Sequence, residues 1–309
     1  MKLTRRKWLG LGLGAGAAAL GARWTMSAAA EKAVNGPLNV AVIPSTGEQV
    51  PAVGLGTVDF QGNPDTDDLS VLRETLQVFH RMGGRLLDTS PNYGNSEQVL
   101  GSLLHDLGTR DDMFMATKVD RENRAAGEER MEGSFQRLGG TIDLMQVHNL
   151  RGVDAMLEAL PVWKAEGRFK YIGITTHRDS QHREIEDCMR RYPLDFVQVN
   201  YSLADRAAAD RILPLAQEKG IAVLVNRPFG KGGLFAAVRG RPLPPWANDI
   251  DANSWGQLFL KYIMAHPAAT IPIPGTSKPH HAEDNAGALY GRLPDAALRR
   301  EMENYMDGL

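Results

Sequence analysis

Residues 86–104 read LLDTSPNYGNSEQVLGSLL. An apolar run ends at Asp88, a polar turn carries Tyr93, and Val99, Leu100, Leu103, Leu104 and Leu107 then return at helical spacing. A strand that feeds a helix through a short polar turn is half of a βα unit, so the fold depends on how often the unit recurs. Apolar, β-branched runs stand at 52–57 (AVGLGT), 85–90 (RLLDTS), 114–119 (FMATKV), 144–149 (LMQVHN), 171–175 (YIGIT), 196–200 (FVQVN), 222–226 (AVLVN) and 269–274 (ATIPIP). They start about 31 residues apart, the length of one strand plus a crossover helix. Between the first two, Leu69, Leu72, Leu76 and Phe79 share one helical face after the turn NPDTDD, and Gly83-Gly84 stops that helix. The next helix takes Asn95 or Ser96 as N-cap and ends at Gly108.

Strict alternation predicts an α/β fold, a (β/α)8 TIM barrel, with an open doubly wound sheet as the alternative because periodicity does not show closure. Ahead of it, LNVAVIPSTGEQVPAVG (38–54) places two short apolar runs around Ser45-Thr46-Gly47, which predicts an N-terminal β-hairpin capping the barrel floor. Residues 31–309 form a single barrel domain on this reading.

Residues 1–30 read differently. Thr4-Arg5-Arg6-Lys7-Trp8-Leu9 carries twin arginines, Trp8 to Ala22 is uncharged, and Ala28-Ala29-Ala30 fits a small-residue cleavage site. The pattern predicts a twin-arginine signal peptide, hence passage through the twin-arginine export machinery and a periplasmic or exported location. The uncharged run is 15 residues long and rich in Gly and Ala, too short for a stable membrane span. Its spaced glycines from Gly10 to Gly16 mimic a dinucleotide fingerprint, but no strand precedes them. The segment holds Lys2, Arg5, Arg6, Lys7 and Arg23 and no acidic residue, so the remainder carries 30 basic against 37 acidic groups, a net charge of −7. That balance argues against a nucleic-acid partner. One cysteine, Cys188, excludes an internal disulfide, and the adjacent His280-His281 have no carboxylate or thiol at ligand spacing, so no metal site is expected.

In a barrel of this kind, catalytic groups come from the C-terminal ends of strands. Those ends present Asp88, with Tyr93 in the following turn, then Lys118, then His148. A phenol is a poor proton donor at neutral pH unless its anion is stabilised. A buried ammonium supplies that stabilisation, and a carboxylate holds the ammonium charged and in place. A neutral imidazole can orient a carbonyl oxygen. The set polarises and protonates a carbonyl; what it lacks is a hydride source, which implies a nicotinamide cofactor.

GLGT (54–57), LLDTSPNYGNSEQVLGSLL, ATKV (116–119), SFQRLGGTIDLMQVHN (134–149), YIGITTH (171–177) and IPIPGTSKPHHAEDN (271–285) together resemble the signature segments of the aldo-keto reductase family. The resemblance implies an NAD(P)-dependent reductase of aldehydes or ketones, with Tyr93 as general acid, His148 orienting the substrate carbonyl, and Lys118 paired with Asp88 tuning Tyr93. It also implies a cofactor site. Gln198 matches the glutamine that contacts the nicotinamide amide, and Thr175-Thr176 stand where the family commonly has Ser-Asn. Asn226 stands where many members stack a tyrosine. Arg227, Gly230 and Lys231 belong to the loop beside the pyrophosphate. Members that prefer NADPH place a lysine and an arginine where this chain has Gly275 and His281. Thr276, Ser277 and Lys278 remain for a 2′-phosphate, and Asn285 matches the adenine end. NADP is the expected cofactor, with NAD possible, and the short stretch after Asn285 implies an open substrate pocket. The alternative is a nucleotide-binding, redox-sensing or regulatory subunit with little turnover, as in the family's potassium-channel β subunits.

Overall fold

The computed structural model describes residues 37–268 and 270–309. The signal-peptide reading of residues 1–30 lies outside them. A hairpin of β1 (Val40–Val42) and β2 (Gln49–Pro51) comes first, antiparallel, with Val40 opposite Pro51. Eight parallel strands follow: β3 (Leu55–Gly56), β4 (Leu86–Asp88), β5 (Phe114–Val119), β6 (Ile142–Val147), β7 (Phe169–Thr175), β8 (Phe196–Asn200), β9 (Ala222–Asn226) and β10 (Thr270–Pro272). Each pairs with its neighbour in chain order. The outer two also meet, since Gly54 N–H donates to Pro272 O at 2.9 Å, Gly56 N–H donates to Pro274 O at 3.1 Å, and Gly56 bridges Gly275 in parallel. The sheet is therefore curled, with its first and last strands in hydrogen-bond contact.

All eight sequence-predicted strands are present, and β5, β8 and β9 have the predicted bounds. The others differ at their ends; β3 keeps only two residues. Every residue of β5 and β6 is buried, as expected when one strand face fills the sheet's inner side and the other meets helices.

The helices are α1 (Ser70–Arg81), α2 (Ser96–Leu107), α3 (Arg124–Leu138), α4 (Val153–Ala165), α5 (His182–Arg191), α6 (Ala208–Lys219), α7 (Gly233–Ala237), α8 (Trp255–Met264), α9 (Pro279–Gly287) and α10 (Ala296–Asp307). In α1 the predicted stripe Leu72, Leu76 and Phe79 is buried; Leu69 falls one residue short and becomes the N-cap position. Gly84 lies so close to the Phe79 ring that a Cβ there would run into it. Asn95 is the N-cap residue of α2, but its side chain donates to Gly62 O instead of capping the helix.

The hairpin covers the N-terminal strand ends. Tyr171, near the start of β7, donates from its hydroxyl to Glu48 Oε2 at 2.6 Å and lies 2.7 Å from Thr46 Oγ1 in the hairpin turn. The opposite rim is left to the loops that follow the strands. Among the described residues, no helix is long and apolar enough to cross a membrane.

Candidate active site

The C-terminal ends of β4, β5 and β6 bring together the four residues expected from sequence. Asp88 closes β4, and pairing of β4 with β5 sets it opposite Ala116, so Lys118 stands two residues further along and reaches back. Lys118 is only 1% exposed. Its Nζ donates to Asp88 Oδ2 and to Thr89 O, each at 2.7 Å. The same ammonium lies 5.0 Å from the centroid of the Tyr93 ring. Burial opposes the Lys118 charge, but the Asp88 carboxylate and then the nearby Tyr93 phenol more than offset burial and raise its pKa above the ordinary lysine value.

Asp88 is held from two further strands. Gln146 Nε2 donates to Oδ1 at 3.2 Å, and Gln198 Nε2 donates to Oδ2 at 3.3 Å. A carboxylate this enclosed tolerates its charge only with such a full set of donors.

His148 follows β6, and its ring meets the Tyr93 ring edge-on at 6.0 Å between centroids and 84° between planes. Burial first, and then the nearby Lys118 charge, push its pKa from 6.5 down to about 3, so the imidazole is neutral in ordinary buffers. Its Nδ1 lies 3.2 Å from Ser90 Oγ and 3.3 Å from Asn92 Nδ2. The chain then turns sharply, with positive φ at Asn149 (54°) and Leu150 (58°), a conformation that side chains rarely adopt.

These groups face a cleft of about 530 Å3 that runs from Tyr93, Lys118 and His148 across the ends of β7, β8 and β9 to Gly275. Of the thirteen residues expected at a cofactor, Thr175, Thr176, Gln198, Asn226, Arg227, Lys231 and Gly275 line it. Gln198 Oε1 and Asn226 Oδ1 are buried and have no hydrogen-bond partner among the described residues. Unmatched buried acceptors of this kind suit the donors of a carboxamide, so the nicotinamide end of a nucleotide fits here. Asn226 Nδ2 is engaged by Thr176 O at 2.9 Å. The Thr176 hydroxyl donates to Gln181 Oε1 at 2.6 Å and is thus turned to its own loop, whereas Thr175 Oγ1 accepts from Asn149 N–H at 3.2 Å. Gly230, Thr276, Ser277, Lys278, His281 and Asn285 lie beyond the cleft lining, with Thr276 Oγ1 3.4 Å from His281 Nδ1 and Asn285 buried in α9.

Sequence reasoning passed over Gln146, Ser90, Asn92, Asp120, Asn149 and His177. Two of them carried a signal, because Gln146 precedes His148 by two residues and Asp120 follows Lys118 by two, the strand period that returns a side chain to the same face. Asn92 gave none, since its partners are Asp120 and Arg130, distant in the chain.

The family model for the Aldo/keto reductase family matches residues 52–301. An NADH-specific methylglyoxal reductase from Escherichia coli is 27% identical, with 82% of this chain and 95% of the relative covered. The aldo-keto reductase yakc of Schizosaccharomyces pombe, named with NADP(+), is 26% identical, covering 83% of this chain and 88% of the relative. Among solved structures, an aldo-keto reductase from Klebsiella pneumoniae in complex with NADPH superposes with a TM-score of 0.69 at 25% identity, covering 87% of this chain and 96% of that one.

Proposed function

The chain belongs to the aldo/keto reductase family, and from that premise we propose how its cleft performs carbonyl reduction. The protein is a nicotinamide-dependent oxidoreductase. NADP is its expected cofactor and NAD is possible, since relatives named for each are similar to it. A bound nicotinamide nucleotide supplies the hydride. Gln198, Thr175 and Asn226 hold its amide end, and Arg227 and Lys231 give cations for its phosphates.

Tyr93 is the general acid, passing its hydroxyl proton to the carbonyl oxygen. Lys118, kept charged by Asp88, stabilises the phenolate that this leaves. Neutral His148 orients the carbonyl oxygen without competing for the proton. The observation that carries the reading is the buried Lys118–Asp88 pair, 2.7 Å apart, with its ammonium 5.0 Å from the centroid of the Tyr93 ring. A purely nucleotide-binding module has no use for that pair.

The curled sheet closes into a (β/α)8 barrel on this proposal, supported by the hydrogen bonds from Gly54 and Gly56 to Pro272 and Pro274. We also propose export by the twin-arginine route to the periplasm, supported by Arg5-Arg6 and the uncharged run that follows. A folded passenger can carry its nucleotide with it, so the exported enzyme retains a tightly bound cofactor or meets a redox partner outside the cytosol. Mass spectrometry of the protein purified from the periplasm tests this: finding neither bound nucleotide nor a partner would refute it.

The activity itself is tested by following oxidation of NADPH and NADH with a panel of aldehydes and ketones, methylglyoxal among them, for the native chain and Tyr93→Phe. Loss of the acid should lower kcat by about 100-fold or more. Equal rates for the two proteins would sink the mechanism.

A further inference from the structure

Asn92 stands one residue before Tyr93, and its side-chain amide is held between two partners of fixed character. Its Nδ2 donates to Asp120 Oδ2 at 2.7 Å, and its Oδ1 accepts from Arg130. A carboxylate only accepts and a guanidinium only donates, so the amide has a single orientation. Asp120 is itself anchored, 5% exposed and paired with Arg121 at 2.5 Å.

The second N–H of Asn92 Nδ2 then faces His148 Nδ1, 3.3 Å away. Ser90 Oγ, which accepts the Asn92 backbone N–H at 3.1 Å, lies 3.2 Å from the same ring nitrogen with its own proton free to donate. Asn92 Nδ2 carries only donors, so a proton on Nδ1 would face it; Nδ1 is the bare nitrogen, to which Ser90 Oγ can also donate, and the single proton of the neutral ring sits on Nε2. Among the described residues, the side-chain hydrogen bonds of this ring fall on Nδ1, and the ring lines the cleft. We propose that Asn92, clamped by Asp120 and Arg130, is a positioning residue that selects the Nε2–H tautomer of His148 and so turns its N–H toward the substrate carbonyl. The functional half of this inference rests on the carbonyl-reductase reading; the tautomer does not.

The test is nitrogen NMR of the histidine rings at neutral pH, with His148 assigned by its absence in His148→Gln. In the native protein its Nδ1 should resonate as an unprotonated ring nitrogen and its Nε2 as a protonated one. Asn92→Leu keeps the size but removes the donor, so both tautomers should appear and kcat should fall about ten-fold with little change in KM. Asn92→Asp combined with Asp120→Asn exchanges the two groups at nearly constant shape. The carboxylate at position 92 then accepts from His148, and the proton should move to Nδ1, with a larger loss of kcat. A native spectrum with the proton on Nδ1, or variants that leave the native pattern unchanged, would overturn the proposal. If the native protein shows the expected tautomer yet oxidises no nucleotide, the carbonyl-reductase reading fails and the tautomer assignment stands.

Discussion

The Lys118 ammonium and the Asp88 carboxylate meet at 2.7 Å with side chains only 2% and 3% exposed. Two charges taken out of water this completely depend on each other. Removing both should therefore cost less than the two single removals added together.

Asp88→Asn leaves the Lys118 charge without its counter-ion and should lower stability by about 3–5 kcal/mol. Lys118→Met strands the carboxylate and should cost a similar amount. The double variant should be clearly more stable than the sum of the single losses requires, by more than about 1 kcal/mol. Urea unfolding of the four proteins measures the coupling, and additive losses would show that the pair is not a unit.

Gln198 separates binding from stability. Its Oε1 lies buried in the cleft without a partner among the described residues, while its Nε2 donates to Asp88 at 3.3 Å. Gln198→Leu should weaken nucleotide binding about five- to ten-fold, the value of one hydrogen bond. Calorimetric titration with NADP and NAD gives the change. Unaltered affinity for both would place the amide elsewhere.

The loop after β9 carries a conformational cost next to the site, with φ of 50° at Arg227 and 56° at Lys231. For a residue other than glycine the left-handed region costs about 1–2 kcal/mol, more than the roughly 0.5–1 kcal/mol of chain entropy that glycine adds. Lys231→Gly should thus raise the Tm slightly while weakening nucleotide binding through the lost charge. A fall in both, or a rise in both, would contradict this account.

Burial, reinforced by the cations Lys118 and Arg299, pushes His148 and His266 from 6.5 down to about 3 and about 4. Between those values the unfolded chain binds protons that the folded chain does not. The stability they contribute is complete above about pH 6.5 and declines as pH falls toward 4. Unfolding free energies at about pH 7 and about pH 4.5 should show the loss. His266→Gln should flatten the slope, and an unchanged slope would exclude His266 as a contributor.

Much of this arrangement was legible in the chain itself. The strands β5, β8 and β9 match the runs read from the chain because burial continues to their ends, where even the polar Lys118, Gln198 and Asn200 are enclosed and only Asn226 is half-buried. The strands β3, β4 and β10 are shorter than the runs that predict them, since flanking residues such as Val53, Thr57, Thr89 and Ile273 are buried outside the strand pairing. Asp88, Tyr93, Lys118 and His148 stood out as ionisable or phenolic groups at the tips of apolar runs. The cofactor contacts were harder to place: Thr176 and Thr175 are adjacent and both line the cleft, yet the Thr176 hydroxyl is taken up by Gln181 while Thr175 Oγ1 accepts from Asn149 N–H.

Hydrophobic period and strand-end chemistry, both local in the chain, determined the alternation of elements and the identity of the reacting groups. Tertiary structure alone decided what each of those groups touches. Gln198 reaches Asp88 across 110 residues, and Asn92 reaches Asp120 across 28 and His148 across 56. Hydrogen bonds of a few ångströms depend on how neighbouring strands are registered and where each loop turns back. No periodicity within a single strand or helix encodes that.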